Sequence, residues 1–189
     1  MLLSLPEKIG KHTKKGMIVS KLWLVDSADL TVYFDADTRR YAKDWFEKNG
    51  LTLEIFKARF HQSPSLGFVC DGQQFGGIII DKGELHLAIL PEFQGRWSIL
   101  IPEILDWIFS HHDPIFCRAE HDNDLCLQFA KRMGWKLVDK DEHYYFFAGK
   151  AEWIPANLQR RRRKHQHEKL KARSSNSLNE DCKGKAVHT

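Results

Sequence analysis

Three consecutive β-prone segments between residues 66 and 90 restrict most strongly the folds open to this sequence. Leu66–Cys70 and Phe75–Ile80 are separated by Asp71 and Gly72, a pair suited to the positive φ angles of a tight hairpin turn. A second turn at residues 81–83 leads into a third segment, Glu84–Leu90. We therefore predict three strands joined by tight turns, the last of which lies in the middle of a sheet.

Apolar periodicity and turn residues place the remaining elements on both sides of these strands. Upstream we predict a strand at Lys21–Val25 and helices at Asp37–Lys48 and Leu51–Phe60; downstream we predict a helix at Trp97–Ser110, a strand at Pro114–Ala119, a helix at Asn123–Met133 and a closing strand pair at Lys136–Val138 and His143–Ala148. This order combines antiparallel hairpins with one β-α-β crossover. It predicts an α/β (α+β) fold with a mixed, mostly antiparallel sheet flanked by helices.

The length allows one domain with extensions. The chain has 189 residues, 42% of them hydrophobic, with 12 Phe and 6 Trp, which is enough apolar surface for one dense core. We predict an N-terminal arm at residues 1–19, a domain at 20–150 and a basic C-terminal tail at 151–189. Because Gln159–Arg173 has no apolar stripe, we expect the tail to be mobile unless a partner binds it, and we expect disorder over Ser174–Thr189.

The positive charge of the chain is concentrated in that tail. From Leu158 onward there are 10 Lys or Arg and 3 Asp or Glu, a net charge of +7; the whole chain carries +4, which leaves −3 for residues 1–157. The cluster of cations consists of Arg160, Arg161, Arg162, Arg163 and Lys164. Such a cluster attracts phosphate backbones by releasing counterions. It predicts sequence-independent nucleic-acid contact; the alternative is a solvated linker.

The sequence lacks the patterns of membrane, export and metal-binding segments. No apolar run approaches the roughly 20 residues needed to cross a bilayer, and Met1–Leu5 is too short for the apolar core of a signal peptide. The four cysteines lie far apart, and His111, His112 and His121 lack the spacing of metal ligands. We expect a cytoplasmic protein with no metal and no membrane partner.

One junction has the form of an anion site. The strand Glu84–Leu90 passes through Pro91–Arg96 into a predicted helix. A strand, loop and helix in this order direct unpaired backbone N–H groups and the positive end of the helix dipole to one point. The junction therefore favours a phosphate or diphosphate group.

The same junction resembles the acetyl-CoA motif of the GNAT superfamily of N-acetyltransferases. Pro91–Phe93 matches its Pro-Glu-aromatic step, and Gln94 matches the first position of Arg/Gln-x-x-Gly-x-Gly/Ala. Asn123 and Lys131–Trp135 are similar to the later Asn and the Lys-x-x-Gly-Phe helix ending of the family, so the match extends over Glu84–Trp135. The resemblance implies the GNAT fold, with acetyl-CoA as cosubstrate and an amine as acceptor.

Two departures separate the sequence from the family pattern. Trp97 and Ile99 stand where the motif has glycines, and their side chains could narrow the diphosphate site. Ala130 stands where many members have a tyrosine that protonates the departing CoA thiolate. An acid, if one is needed, must then come from elsewhere or from water.

The resemblance also implies which residues bind the cosubstrate. They are Leu90, the backbone amides of Gln94, Gly95, Arg96, Trp97 and Ser98, the charge of Arg96, and Asn123 beside the pantetheine end. Each has a structural interpretation as well. Gln94 and Gly95 can simply form a turn, Trp97 can pack, and Asn123 can cap a helix.

Acetyl transfer to an amine requires a base, since only the neutral amine is nucleophilic. Alternation along the third strand puts Glu84 and His86 on one face and Leu85 and Leu87 on the other. His86 is the preferred catalytic base, because its ordinary pKa lies near neutrality, and Glu84 is the substitute. Solvated strand residues are the alternative interpretation of both.

We therefore predict an N-acetyltransferase acting on an amine of a small molecule or a protein. The alternative is a non-catalytic protein of the same fold, because the sequence also resembles short phage proteins of this superfamily, some of them packaged in the virion. The missing glycines, the missing tyrosine and the basic tail favour this alternative. In it, the tail contacts nucleic acid or other virion proteins, in the host cytoplasm or the virion.

Overall fold

The structure is a computed structural model that describes residues 20–42 and 45–184, with the backbone only from residue 172. The predicted N-terminal arm at residues 1–19 lies outside the described residues. The strands are β1 (Leu22–Val25), β2 (Ser65–Cys70), β3 (Gln73–Asp81), β4 (Glu84–Ile89), β5 (Ile115–Glu120), β6 (Lys136–Lys140) and β7 (Tyr144–Gly149). The helices are α1 (Leu30–Thr38), α2 (Trp45–Lys48), α3 (Leu53–Phe60), α4 (Ile101–His111), α5 (Asp124–Arg132) and α6 (Ala156–Gly184).

The sheet consists of two antiparallel blocks joined by one parallel contact. Its strand order is β1-β2-β3-β4-β5-β7-β6. The strands β1 to β4 pair antiparallel with their neighbours, as do β5, β7 and β6, whereas β4 and β5 run parallel. This topology confirms the predicted α/β (α+β) class with a mixed, mostly antiparallel sheet.

The hairpin between β2 and β3 forms where the sequence predicts it. Asp71 and Gly72 have φ angles of 49° and 92°, and Cys70 pairs with Gln73 across the turn. Glycine adopts such angles without steric cost, and aspartate tolerates them better than most residues. The two-residue turn fixes the register of β3, and β3 in turn holds β4.

Alternation along β4 divides its side chains between two cores. Leu85 belongs to the larger core, beneath α4, α5 and the start of α6. Ala88 belongs to the smaller core, beneath α1 and α3. His86 faces the same side as Ala88, since its ring lies 5.6 Å from the ring of Phe60 on α3. The predicted assignment of the two faces is confirmed.

The first helix begins earlier than predicted. The sequence pattern predicts a helix at Asp37–Lys48, whereas α1 ends at Thr38 and α2 covers only the last four residues of that range. The cause is the side chain of Asp29, which accepts hydrogen bonds from the amides of Thr31 and Val32 at 2.8 and 3.3 Å. Such an N-cap satisfies two of the donors that a helix start leaves unpaired, so the helix begins there.

The helix after β4 begins later than predicted. Residues 96–100 form a 3-10 helix, and α4 starts at Ile101 rather than at Trp97. Pro102 fits this start, because proline lacks the N–H that a helix interior would need. The positive end of the α4 dipole therefore lies about one turn further from β4 than the sequence suggests.

The C-terminal segment contributes to the body of the protein. Ile154 and Leu158 are buried in the larger core, so the packed region extends past residue 150. The helix α6 then follows α4, where Arg162 forms an ion pair with Asp106 at 2.7 Å.

This arrangement differs from the mobile tail that the sequence leads us to expect. The contact with α4 is made by charged and polar side chains instead of an apolar stripe, as Lys169 with Glu103 illustrates. The backbone is helical to Gly184, although we expected disorder from Ser174 onward. Residues 185–189 lie outside the described residues.

Leu158→Ala should lower the free energy of unfolding by about 2–4 kcal/mol, because it empties a buried site in the larger core. Leu170→Ala, in the same helix, is the matched control: Leu170 is 62% exposed, so its loss should change stability by less than about 0.5 kcal/mol. Denaturant unfolding of the full chain measures both. Equal effects would show that the start of α6 is not packed against the body.

Candidate functional site

The candidate site is a wedge between β4 and β5. Within the described strands these two pair at one position, where Glu84 lies opposite Phe116 and the Phe116 amide donates to the carbonyl of Gly83 at 3.0 Å. Beyond it, β4 stays with β3 through six paired positions, and β5 stays with β7 through six. The two strands therefore separate towards their carboxyl ends.

The β4 edge of the wedge carries backbone groups without a strand partner. The amide of Leu90 donates to the carbonyl of Phe75 on β3 at 2.9 Å. Since hydrogen-bonded residues alternate along an antiparallel ladder, Leu87 and Ile89 direct their amides away from β3 and towards the wedge. An extended ligand could accept these hydrogen bonds as an added strand does.

A loop with a left-handed glycine follows at the wide end of the wedge. Gly95 has a φ of 77°, and open space surrounds the point where a Cβ would stand. Its neighbours Gln94, Arg96 and Ser98 are exposed. The first amides of a 3-10 helix have no acceptor within that helix. The amides at this loop can therefore point at an anion.

Not all of the predicted amide donors are available. Leu90 uses its amide in the sheet, and the amide of Gln94 donates to the carbonyl of Pro91 at 3.2 Å. The structure thus narrows the predicted set to the amides of Gly95, Arg96 and Trp97, because the hydrogen-bonding pattern of the 3-10 helix pairs the amide of Ser98 with the carbonyl of Gly95.

Two guanidinium groups lie beside this loop. The Arg161 side chain donates to the carbonyl of Ser98 at 3.1 Å. The Arg96 side chain belongs to the loop itself and is exposed, and its charge contributes to the lowered pKa of Asp71, which is caused mainly by a hydrogen bond from the Lys21 amide. The sequence predicts Arg161 as a nucleic-acid contact, but its side chain joins the loop.

Trp97, one of the departures from the motif, points into the protein. Its indole stacks on Phe68 at 5.9 Å and lies 5.7 Å from Phe129 on α5. The side chain is therefore part of the larger core. Its packing leaves the outer surface of the loop uncovered.

The two predicted bases lie at the narrow end of the wedge, on the side of α1 and α3. Glu84 forms an ion pair with Arg118 across the two strands, with 2.8 Å between a carboxylate oxygen and Nε. The Nε2 atom of His86 is buried and has no hydrogen-bond partner among the described residues. Burial lowers the pKa of His86, while the nearby Glu84 carboxylate partly opposes this effect. The imidazole is therefore neutral at neutral pH.

A polar cluster at the end of β5 was not predicted from the sequence. Glu120 accepts hydrogen bonds from Tyr41 at 2.7 Å, Arg40 at 3.3 Å and Asn123 at 3.4 Å. Burial raises the pKa of Tyr41, and its hydrogen bond to Glu120 raises it further. Asn123 also caps α5, since its Oδ1 accepts from the amide of Cys126 at 3.1 Å. The side-chain amide of Asn123 thus has a partner at both ends.

Comparison with solved structures identifies the fold. The PaiA N-acetyltransferase from Thermoplasma acidophilum, solved in complex with coenzyme A, superposes with a TM-score of 0.51 at 16% identity over 69% of this chain and 99% of that one. The ribosomal-protein-S18-alanine N-acetyltransferase from Escherichia coli has a TM-score of 0.53 at 12% identity, covering 74% and 98% of the two chains. A GCN5-related N-acetyltransferase from Rhodopseudomonas palustris has a TM-score of 0.54 at 16% identity, covering 71% and 98%.

The chain has the GNAT fold. No family model and no curated protein matches the sequence, so the likeness lies in the structure alone. None of the three neighbours is described as a phage or virion protein. The phage alternative therefore gains no support from them.

The thiols of Cys117 on β5 and Cys126 on α5 lie against each other. Cys117 is buried and Cys126 is half-buried. The hydrogen bond between the thiols lowers the pKa of Cys126 and raises that of Cys117, and the charge of Arg40 further favours the Cys126 thiolate. The cysteines lie far apart in the sequence, so this contact was not predicted from it.

Two features are absent from the described part of the chain. Within residues 20–42 and 45–171, no three His, Cys, Asp or Glu side chains are grouped as ligands of a metal ion. Over the same ranges, no helix combines the length and apolar character that crossing a membrane requires.

His86→Gln should make stability less sensitive to acid. Because the pKa of His86 is lowered in the folded state, the unfolded chain takes up its proton first as pH falls below about 6.5, and folded wild type loses stability there. The stability of the variant relative to wild type should therefore improve between pH 8 and pH 5, in denaturant unfolding at each pH. A difference that stays constant with pH would contradict the buried neutral imidazole.

Proposed function

We propose that this protein is an N-acetyltransferase that transfers the acetyl group of acetyl-CoA to an amine of a small molecule or a protein. One observation carries the proposal: β4 and β5 separate beyond Glu84 and Phe116, directly before a loop with open space around Gly95. A wedge followed by such a loop suits the pantetheine arm of acetyl-CoA, which carries the thioester at one end and the diphosphate at the other. The coenzyme A bound to the Thermoplasma protein, which has the same fold, supports this choice of cosubstrate.

Binding would use backbone groups for the arm and cations for the phosphates. The amides of Leu87 and Ile89 would donate to the carbonyl oxygens of the arm. The amides that begin with Gly95 would receive the diphosphate, with Arg96 and Arg161 supplying charge next to them. Backbone donors of this kind depend on the path of the chain, so the side-chain departures at the motif do not remove them.

The reaction would proceed by attack of the amine nitrogen on the thioester carbonyl. A C–N bond forms, the C–S bond breaks, and the electron pair of that bond leaves on the CoA sulfur. Negative charge develops on the carbonyl oxygen, where a backbone amide of the β4 edge would stabilise it. The departing thiolate would take its proton from water, because the family tyrosine is replaced by Ala130, which is fully buried.

His86 is the base that we propose for the acceptor amine. A neutral imidazole can accept the amine proton, and the lowered pKa keeps His86 neutral under ordinary conditions. Its Nε2 is without a partner among the described residues. Glu84, the substitute base, is paired with Arg118, so we assign it the role of holding the narrow end of the wedge. Asn123 would act by fixing the start of α5.

Gly95→Leu should weaken coenzyme A binding by at least about tenfold, roughly 1.4 kcal/mol, because a side chain would fill the open loop. Gly50→Leu is the matched control: Gly50 also has a positive φ, 66°, and open space at its Cβ position, so the variant bears a similar backbone strain outside the loop. Isothermal titration calorimetry with acetyl-CoA and with CoA measures both variants. Absence of saturable binding to wild type at millimolar ligand, or equal weakening by the two variants, would reject the proposed site.

His86→Gln should lower kcat by about 10²–10⁴-fold if it is the general base. Since the neutral form is active, the wild-type rate should fall as pH drops through the lowered pKa of His86, and the variant should lack that acid limb. Release of the CoA thiol with a panel of primary amines provides the assay. Glu84→Gln is the comparison and should keep the fall in rate at low pH. If Glu84→Gln loses this fall and His86→Gln keeps it, the base is Glu84.

A further inference from the structure

The helical periodicity of α6 separates its cations into two sets. Positions 158, 162, 165 and 169 repeat at helical spacing and face α4. Positions 160, 163, 164, 167 and 171 lie on the opposite side of the helix. A run that is uniformly basic in the sequence therefore becomes an inward row and an outward row.

The inward row is occupied by contacts within the protein. Arg162 is 18% exposed and forms an ion pair with Asp106 at 2.7 Å. His165 lies 3.6 Å from Glu103, which also binds Lys169. These cations pair with carboxylates of α4, so their charge is already used within the protein.

The outward row is exposed along its whole length. Its members are Arg160, Arg163, Lys164, His167 and Lys171. Lys164 is 79% exposed, and its ion pair with Glu168 is long, at 3.9 Å. An exposed pair of this kind contributes little, so the charge of Lys164 remains available to a partner.

We propose that this outward row binds the phosphate backbone of nucleic acid without sequence preference. The row extends over about 16 Å, calculated from 1.5 Å per residue, which is the length of about five base pairs. Arginine and lysine along one line can neutralise successive phosphates and release their counterions. Residues 1–157 carry a net charge of −3 and the residues from Leu158 onward carry +7, so the positive charge that attracts a phosphate backbone is concentrated in the segment that contains this row.

The chemistry of the row favours nucleic acid over a lipid surface. A helix that binds in a membrane interface needs an apolar face beside its cations. Beside the exposed positions Arg160, Arg163, Lys164, His167 and Lys171, the described side chains of α6 include one exposed large apolar residue, Leu170, which is too little for an apolar face. The proposal is independent of acetyl transfer, because it uses none of the residues assigned to the wedge. It also refines the predicted set, since Arg161 and Arg162 bind the protein itself.

The test compares two triple variants of the full chain with equal changes in charge. One is Arg160→Gln, Arg163→Gln and Lys164→Gln; the other is Lys57→Gln, Lys131→Gln and Lys140→Gln, at exposed positions of the body. Fluorescence anisotropy with a labelled 20-base-pair DNA duplex is measured between 50 and 300 mM salt. The α6 variant should lose at least about tenfold in affinity, and its slope of log affinity against log salt should be smaller by up to about 2.7, from 0.9 per lost contact. The body variant should bind like wild type.

Two further measurements make the result decisive. Arg160→Lys with Arg163→Lys keeps the charge and should retain binding, and melting temperatures of all variants show that loss of affinity does not come from unfolding. Equal loss in both triple variants, or salt-independent binding, would overturn the proposal. So would binding to vesicles that contain anionic lipid, removed by the α6 variant, without binding to DNA.

Discussion

The wedge exists because the two blocks of the sheet are held together by so little backbone pairing. Each of β4 and β5 is committed to an antiparallel partner over six positions, and the twist within each block turns the two strands apart. A Cβ at Gly76 would lie 2.3 Å from the carbonyl oxygen of Ala88, so glycine is needed for the close contact that holds β4 against β3. The ion pair of Glu84 with Arg118 marks the point where the blocks meet. The opening therefore follows from the backbone pairing of the two blocks, with the Glu84–Arg118 ion pair at its narrow end.

Features set by neighbouring residues could be predicted from the sequence. The hairpin at Asp71 and Gly72 and the alternation of faces along β4 follow from local conformational preferences, and the structure has both. The start of α1 was placed wrongly although it too is local. Aromatic residues after Asp37 suggested helical periodicity, whereas the capping side chain of Asp29 determined where the helix begins.

Features that depend on distant residues could not be predicted. Tyr41 and Glu120 are 79 residues apart in the chain, and no spacing rule joins them. The contact of α6 with α4 escaped prediction for a related reason. An apolar stripe is the sequence pattern that indicates helix packing, whereas α6 packs mainly through ion pairs whose carboxylates lie on another element. Knowledge of the tail sequence alone cannot show which of its cations already have a partner.

The packing around Trp97 and Ala130 accounts for the two departures from the GNAT motif. Trp97 stacks on Phe68 and lies beside Phe129. Its indole is therefore on the inner side of the loop, where it fills core volume that the motif glycine would leave empty. Ala130 is fully buried, and its carbonyl accepts a hydrogen bond from the Trp135 amide at 2.9 Å. A tyrosine at position 130 would need space that this core does not contain. At both positions the residue present suits the packing of the core, and neither side chain covers the backbone edge of β4 or the surface of the Gly95 loop. The proposed mechanism relies on those backbone groups and on His86, so it is compatible with both departures.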